Sequence, residues 1–133
     1  MPVAVDPADE SAIRSVLARY CHTCDDGAFD ALVALFTADG SFSYAGRTVA
    51  GRAALAAYFA EVQTPERRGK HLVANTVMAV SGDRAEVRSD WAFLAFTDGV
   101  LVPRLTGRYD DVLVRDGGDW LIAERVVTPL QPA

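Results

Sequence analysis

Three turn signals in the second half of the chain constrain its fold more than any other feature. Gly82-Asp83, Asp98-Gly99 and Gly117-Gly118 punctuate runs filled with β-branched and aromatic residues. Pairs of this kind close two-residue hairpins, so the region from Lys70 onward reads as four long antiparallel strands. A sheet of that extent has a face to bury, and the first half of the chain must supply the cover.

That first half reads as helices. Asp6 is placed to accept from the free amides of a first turn, Pro7 suits the first helical position, and Asp9 and Glu10 complement its positive end. Ile13, Val16, Leu17, Tyr20, Cys21 and Cys24 then recur at helical spacing as one apolar stripe. Asp25-Asp26-Gly27 ends the helix, with Gly27 suited to a left-handed conformation. A second, shorter helix is expected with Phe29, Leu32, Val33 and Phe36 on one face, ending before Asp39-Gly40. Ser41 to Tyr44 reads as a short strand, Ala45-Gly46 turns it, and Arg47 to Val49 can pair back. A third helix is expected from Gly51 to Val62, then a polar loop from Thr64 to Gly69. Three helices followed by a meander make an α+β fold, with the helices on one face of a curved sheet.

Composition narrows the class. Half of the 133 residues are hydrophobic and 23% are charged, the balance of a folded chain rather than a disordered one. No repeat, linker or low-complexity segment divides it, so residues 1–133 read as one domain. A net charge of -5 with scattered basic residues argues against nucleic acid and anionic membranes as partners. Arg67, Arg68 and Lys70 form the one basic cluster and read as a solvated turn. No apolar run is long enough to span a bilayer, and Met1 to Asp6 lacks the basic-then-apolar pattern of a secretion signal. A cytoplasmic location is the default expectation.

Cys21-His22-Thr23-Cys24 has the spacing of a metal or redox motif. A structural zinc site needs four ligands, and no second Cys/His pair exists. A redox pair belongs at a helix start, whereas this one sits at a helix end. Both cysteines fit the apolar stripe, so core packing is the reading and no metal is expected. Gly-rich phosphate loops and serine-nucleophile signatures are absent, and no cofactor is expected.

Strand register suggests a site. On the strand from Lys70 to Ser81, His71, Val73, Asn75 and Val77 share one face. Pairing Ser81 with Arg84 across the first turn sets Asn75 opposite Asp90, Val73 opposite Ala92 and His71 opposite Leu94. His71, Asn75 and Asp90 then converge on one pocket wall among apolar neighbours; a bulge would part them instead. Helix 1 covers the same face and brings Asp25 within reach of His71. An aspartate bonded to one ring nitrogen fixes the tautomer and makes the other nitrogen a better base. Such a pair takes a proton from carbon or moves one between oxygens. Tyr20 and Tyr44 can donate hydrogen bonds to a carbonyl or a developing oxyanion. Each residue also has a plainer role available: a structural histidine, a helix-end aspartate, a core tyrosine, a buried Asn–Asp pair. Their convergence is what favours a site.

The runs Ala18-Arg19-Tyr20, Phe29 to Gly40, Gly51 to Leu55, Lys70 to Asn75, and Gly107-Arg108-Tyr109 followed by Trp120 resemble the SnoaL-like branch of the nuclear transport factor 2-like superfamily. The resemblance covers nearly the whole chain. It implies a cone-shaped α+β barrel, three N-terminal helices packed on a strongly curved mixed, mainly antiparallel sheet, with a pocket at the wide end. It also implies a homo-oligomer, a dimer through the exposed sheet face or else a trimer. The fold hosts isomerases, dehydratases, cyclases, hydrolases and non-catalytic subunits, so it names no reaction by itself. Tyr20 falls where ketosteroid isomerases carry an oxyanion-hole tyrosine; their base aspartate is matched by Tyr44, and Asp110 lies near their second oxyanion-hole acid. Scytalone dehydratase and the hexachlorocyclohexane dehydrochlorinase resemble the site more closely, since their Asp–His dyads match Asp25 and His71. Tyr44 matches a substrate-binding tyrosine of the scytalone enzyme, which has a histidine in place of Asp90 and a tyrosine in place of Cys24. The resemblance thus implies a cofactor-independent acid–base enzyme of the dehydratase, isomerase or cyclase type, acting on a small apolar or polycyclic, polyketide-like molecule. His71 and Asp25 would be catalytic, and Tyr20, Tyr44, Asn75 and Asp90 would bind substrate. A non-catalytic ligand-binding or assembly subunit is the alternative.

Overall fold

The computed structural model describes residues 4–132. The elements run α1 (Pro7–Asp26), α2 (Phe29–Val33), β1 (Phe36–Tyr44), β2 (Arg47–Ala50), α3 (Arg52–Val62), a 3-10 turn (Pro65–Arg67), β3 (Lys70–Ser81), β4 (Arg84–Thr97), β5 (Val100–Asp116) and β6 (Asp119–Pro129). All three turn signals close hairpins. Asp98, Gly99, Gly117 and Gly118 have positive φ, as the two central residues of a type I′ turn must, while at the first hairpin only Gly82 does.

The six strands form one sheet in the order β2-β1-β6-β5-β4-β3. Only β1 and β6 pair in parallel; the other neighbours are antiparallel. Three helices on a mixed, mainly antiparallel sheet are therefore present as expected, and the cone stays open along its edges β2 and β3. No helix among the described residues is long and apolar enough to cross a membrane.

Helix α1 begins and ends as its sequence dictates. The Asp6 carboxylate accepts from the Ala8 amide at 2.8 Å, and Gly27, at φ 68, lets the Gly27 and Ala28 amides fold back onto the carbonyls of Cys24 and Thr23. Its stripe of Ile13, Val16, Leu17, Tyr20, Cys21 and Cys24 is buried against the sheet. The helix lies across the strands and is tied at both ends. Near the start, Asp9 accepts from the Trp120 indole at 3.2 Å and pairs with Arg115 at 3.0 Å; at the far end, Asp25 reaches β3.

Helix α2 is shorter than its apolar spacing predicts. It stops at Val33, and Phe36 opens a strand that extends well upstream of Ser41. Pairing explains the difference: Phe36 sits beside Ile122 of β6, and the Ile122 amide donates to the Leu35 carbonyl at 2.8 Å. A sheet neighbour with free backbone groups outweighs a few tenths of a kcal/mol of helix propensity per residue.

The inner face of the sheet carries an aromatic core and one buried ion pair. Tyr20 packs against Phe36, Phe59 and Tyr109, with ring centroids 6.4, 6.2 and 6.0 Å away. The Arg125 guanidinium lies 4.2 Å from the Tyr20 ring centroid and 3.8 Å from that of Tyr109. Its Nε and Nη2 donate to the two Asp111 oxygens, each at 2.8 Å, with both side chains almost wholly buried. Losing one partner of such a pair strands a charge in a dry site. Asp111→Ala is expected to lower unfolding free energy by about 3–5 kcal/mol, a large share of what a domain this size possesses. The double replacement Asp111→Leu with Arg125→Met is expected to recover most of it; urea denaturation of the two variants measures the difference.

Cys21 and Cys24 are both free thiols inside this core. Burial pushes the Cys21 thiol up to about 11 and the Cys24 thiol up to about 12. An unfolded thiol ionises at about 8.5, so the folded chain holds protons that the unfolded chain releases. The stabilisation is complete below that value and is lost as pH rises toward 11. The urea midpoint is expected to fall over this window, and a Cys21→Ala, Cys24→Ala variant is expected to fall less steeply. At pH 8, iodoacetamide is expected to label both cysteines only after unfolding, as read by intact mass.

Candidate active site

Asp25 and His71 meet where the end of α1 crosses the start of β3. One Asp25 oxygen lies 2.5 Å from the His71 ring Nδ1. The same carboxylate accepts from the His71 backbone amide, at 2.9 Å through Oδ2 and 3.1 Å through Oδ1. Both side chains are about nine-tenths buried, at 10% and 8% exposure. An ionised carboxylate only accepts, so Nδ1 is the protonated ring nitrogen and Nε2 carries the free lone pair. The ring is held from the side by Phe93, with centroids 4.8 Å apart. Three contacts thus fix position, tautomer and tilt.

His71 lines a cavity of about 910 Å³ between the inner sheet face and α3. The volume lies at the upper end of what small-molecule sites use. Its buried wall is aromatic: Tyr20, Phe59, Trp91 and Tyr109 are each less than one-twentieth exposed. Trp91 stacks on Tyr109 with centroids 5.6 Å apart at 17°. Tyr44 and Tyr58 line the cavity nearer its opening, with Tyr44 half-buried. Burial pushes the phenols of Tyr20, Tyr58 and Tyr109 above their ordinary range, so they remain protonated donors across the physiological range. A cavity with apolar walls, a base and phenolic donors can bind a ring system and polarise an oxygen on it.

Asn75 and Asp90 do not line this cavity, contrary to the expected register. The first turn does pair Ser81 with Arg84, but a bulge between Ala74 and Val77 shifts the ladder by one residue. Asp90 therefore faces Ala74, Trp91 faces Val73 and Phe93 faces His71. Asn75 adopts φ +53 at the bulge and donates to Asp90 at 2.9 Å on an exposed face, where Arg108 also approaches Asp90 at 3.4 Å. The pairing of the two residues survives; its place in the pocket does not. Asparagine is among the few residues that tolerate positive φ, and it was the available signal for the bulge. Asp110 likewise points outward, bonding Arg88 at 2.7 Å, and Asp111 is the inward carboxylate.

Of the basic cluster, Arg67 and Lys70 are exposed as a solvated turn would have them, whereas Arg68 is not. The Arg68 guanidinium rests on Gly27, where a Cβ would come within 2.3 Å of it, and its Nε donates to the Gln63 carbonyl at 3.0 Å. A cation at the carboxyl end of α1 complements the helix dipole. Arg67 and Arg68 both line the cavity. Trp91, Tyr109, Tyr58 and these arginines are the site residues that alternation and spacing overlooked. Trp91 follows from the unbroken alternation of β4, whose odd-numbered residues Ala85, Val87, Ser89 and Trp91 are all buried; the bulge lies on β3 and turns His71 and Val73 to the same side. Among the described residues, no group of three or more His, Cys, Asp or Glu side chains converges.

Solved structures share this architecture. A function-unknown protein of Mycobacterium tuberculosis superposes with a TM-score of 0.91 at 29% identity, covering 96% of this chain and 80% of that one. A candidate scytalone dehydratase from Novosphingobium aromaticivorans gives 0.82 at 25% identity over 93% of this chain and 85% of its own. An NTF2-like protein with a cystatin-like fold from the same organism gives 0.85 at 23% identity, covering 95% and 84%, and bears on fold alone. Comparison with curated proteins returns no match. The model of the SnoaL-like domain matches residues 6–126. With that match over most of its length, and with the cone of helices and sheet that such neighbours share, the chain belongs to the SnoaL-like domain family, within the NTF2-like fold.

Proposed function

We propose that this protein is a cofactor-independent acid–base enzyme that eliminates water from a small apolar or polycyclic, polyketide-like molecule. The observation that carries the reading is the double contact of Asp25 with the ring and the backbone amide of His71 at the wall of an open cavity. A histidine serving packing alone needs neither a carboxylate on Nδ1 nor an unoccupied volume beside its other nitrogen. The similarity to a candidate scytalone dehydratase is consistent with elimination.

In this mechanism His71 Nε2 takes a proton from the carbon next to a substrate carbonyl. Tyr20 or Tyr44 donates a hydrogen bond to that carbonyl as negative charge builds on its oxygen. Asp25 stabilises the imidazolium that forms. The electron pair left on carbon becomes the new C=C bond as the neighbouring C–O bond breaks. His71 returns its proton to the departing hydroxide, and the products are water and the conjugated ketone or its aromatic tautomer. The aromatic walls exclude bulk water and so strengthen each of these interactions.

A simple substrate tests the chemistry. The β-hydroxyketone 3-hydroxy-1-tetralone yields 1-naphthol on loss of water, which absorbance records directly. The wild-type chain is expected to accelerate naphthol formation, and His71→Gln is expected to lower the rate by roughly 10²–10⁴-fold with the far-ultraviolet circular dichroism unchanged. Asp25→Asn is expected to lower kcat more than it raises KM. Acceleration undiminished in His71→Gln would rule out the dyad mechanism. A wild type that binds the ketone but neither dehydrates it nor exchanges its C2 hydrogens for deuterium would make the protein a binding subunit.

A further inference from the structure

The charge around the cavity runs against the charge of the protein. The chain carries -5 overall, yet the cavity lining includes Arg47, Arg67, Arg68 and Arg104 against a single carboxylate, that of Glu66. Elsewhere the arginines mostly meet acids: Arg88 pairs with Asp110, Arg108 with Asp90, Arg115 with Asp9 and Asp83, and Arg125 with Asp111. At the cavity only Arg47 does so, through a 3.5 Å approach to Glu61 with both side chains more than half exposed. Among the described residues Arg104 hydrogen-bonds only the Thr97 hydroxyl, at 3.2 Å, and Arg68 only the Gln63 carbonyl. Arg67, among the same residues, forms no ion pair at contact distance, although a backbone hydrogen bond and, more weakly, its charge and that of Arg68 hold the Glu66 carboxyl below its usual range.

Arg104 reaches the rim by a backbone device. In the pairing of β4 with β5, Leu94 faces Pro103 and Phe93 faces Leu105, so Arg104 is the extra residue of a bulge. Pro103 cannot donate to the ladder, which is where bulges are tolerated. A bulge residue escapes strict alternation, and here it joins Leu105 in the lining rather than pointing away from it. The buried end of the cavity is aromatic and holds the His71 ring, whereas Arg47, Arg67 and Arg104 are exposed at the opening.

We infer that the molecule taken by this site is an organic acid: an aromatic or polycyclic body enters the cavity, and a carboxylate on it stays at the rim among Arg67, Arg104 and Arg47. The inference rests on the reading of the cavity as a substrate site and narrows the substrate class. Guanidinium groups match carboxylates in geometry as well as charge. Unpaired arginines around a low-dielectric opening also draw anions toward it. A carboxylate fixed at the rim sets which ring carbon lies beside His71, so the same contact supplies affinity and orientation.

Isothermal titration with 2-naphthoate, 2-naphthamide and 2-naphthyl phosphate separates charge from shape. At low salt the wild type is expected to bind naphthoate at least tenfold tighter than naphthamide, with the preference shrinking as salt is raised. Arg67→Gln with Arg104→Gln is expected to abolish the preference while leaving naphthamide affinity within about twofold. Equal affinity for naphthoate and naphthamide in the wild type would overturn the inference, as would a naphthyl phosphate affinity tenfold above that of naphthoate. The preference is expected to persist in His71→Gln. Loss of tetralone dehydration with an intact naphthoate preference would strike the catalytic reading alone, and the converse result would strike this one alone.

Discussion

One carboxylate holds the site to the fold. Asp25 is the last inward-reaching acid of α1, and its two oxygens take both the amide and the Nδ1–H of His71. β3 is an edge strand of the sheet, so amides on its outer side have no neighbouring strand to bond. By accepting the His71 amide, the helix end completes the edge as a further strand would. The ring contact comes with it at little additional ordering cost, because strand and side chain are fixed by the same group. Position and tautomer of the candidate base are therefore set by one carboxylate, and a change confined to the His71 ring leaves the backbone contact in place.

The opposite end of α1 obeys the same logic. Asp9 ties the first turn to Trp120 and Arg115, so the helix is anchored at two points separated by about four turns. Between them its stripe meets Tyr109, Arg125 and Asp111 on the central strands. Burying that ion pair is costly in desolvation, and the two flanking rings and bidentate geometry offset part of the cost. The inner sheet face is thus closed at its centre by an aromatic and ionic core, and open toward α3 and the 3-10 turn. Tyr20 and Tyr109 belong to both regions, bounding the core on one side and the cavity on the other.

Much of this was legible in the chain. The three hairpin turns, both caps of α1, its buried stripe and the range of α3 follow from local residue chemistry, and each depends on contacts a few residues apart. The Asp25–His71 pairing was legible as well, because helices covering a sheet must bring a helix end to a strand start. Two kinds of feature were not. The strand through Phe36 depends on a parallel neighbour from the far end of the chain, which no local pattern announces. The face of Asn75 and Asp90 depended on counting back from a turn, and such counting fails at the first extra residue. Asn75 was a warning that alternation alone could not interpret, since asparagine occupies ordinary strand positions too.

Two of the sheet's bulges shape the site. On β3, the extra residue at Asn75 reverses the alternation of that strand, so that His71 and Val73 face inward across from Phe93 and Trp91 while Asn75 meets Asp90 on the exposed face. On β5, the bulge at Arg104 delivers a cation to the rim. With unbroken alternation β3 would have turned His71 to the outer face that Asp90 occupies, away from the cavity. Turned inward, the ring meets the Asp25 carboxylate. Placing positive charge at the opening, farther from the base, favours an anionic ligand without a counter-charge at the reacting end. Two irregular positions of the sheet thus set the His71 ring inside the cavity and the Arg104 charge at its rim.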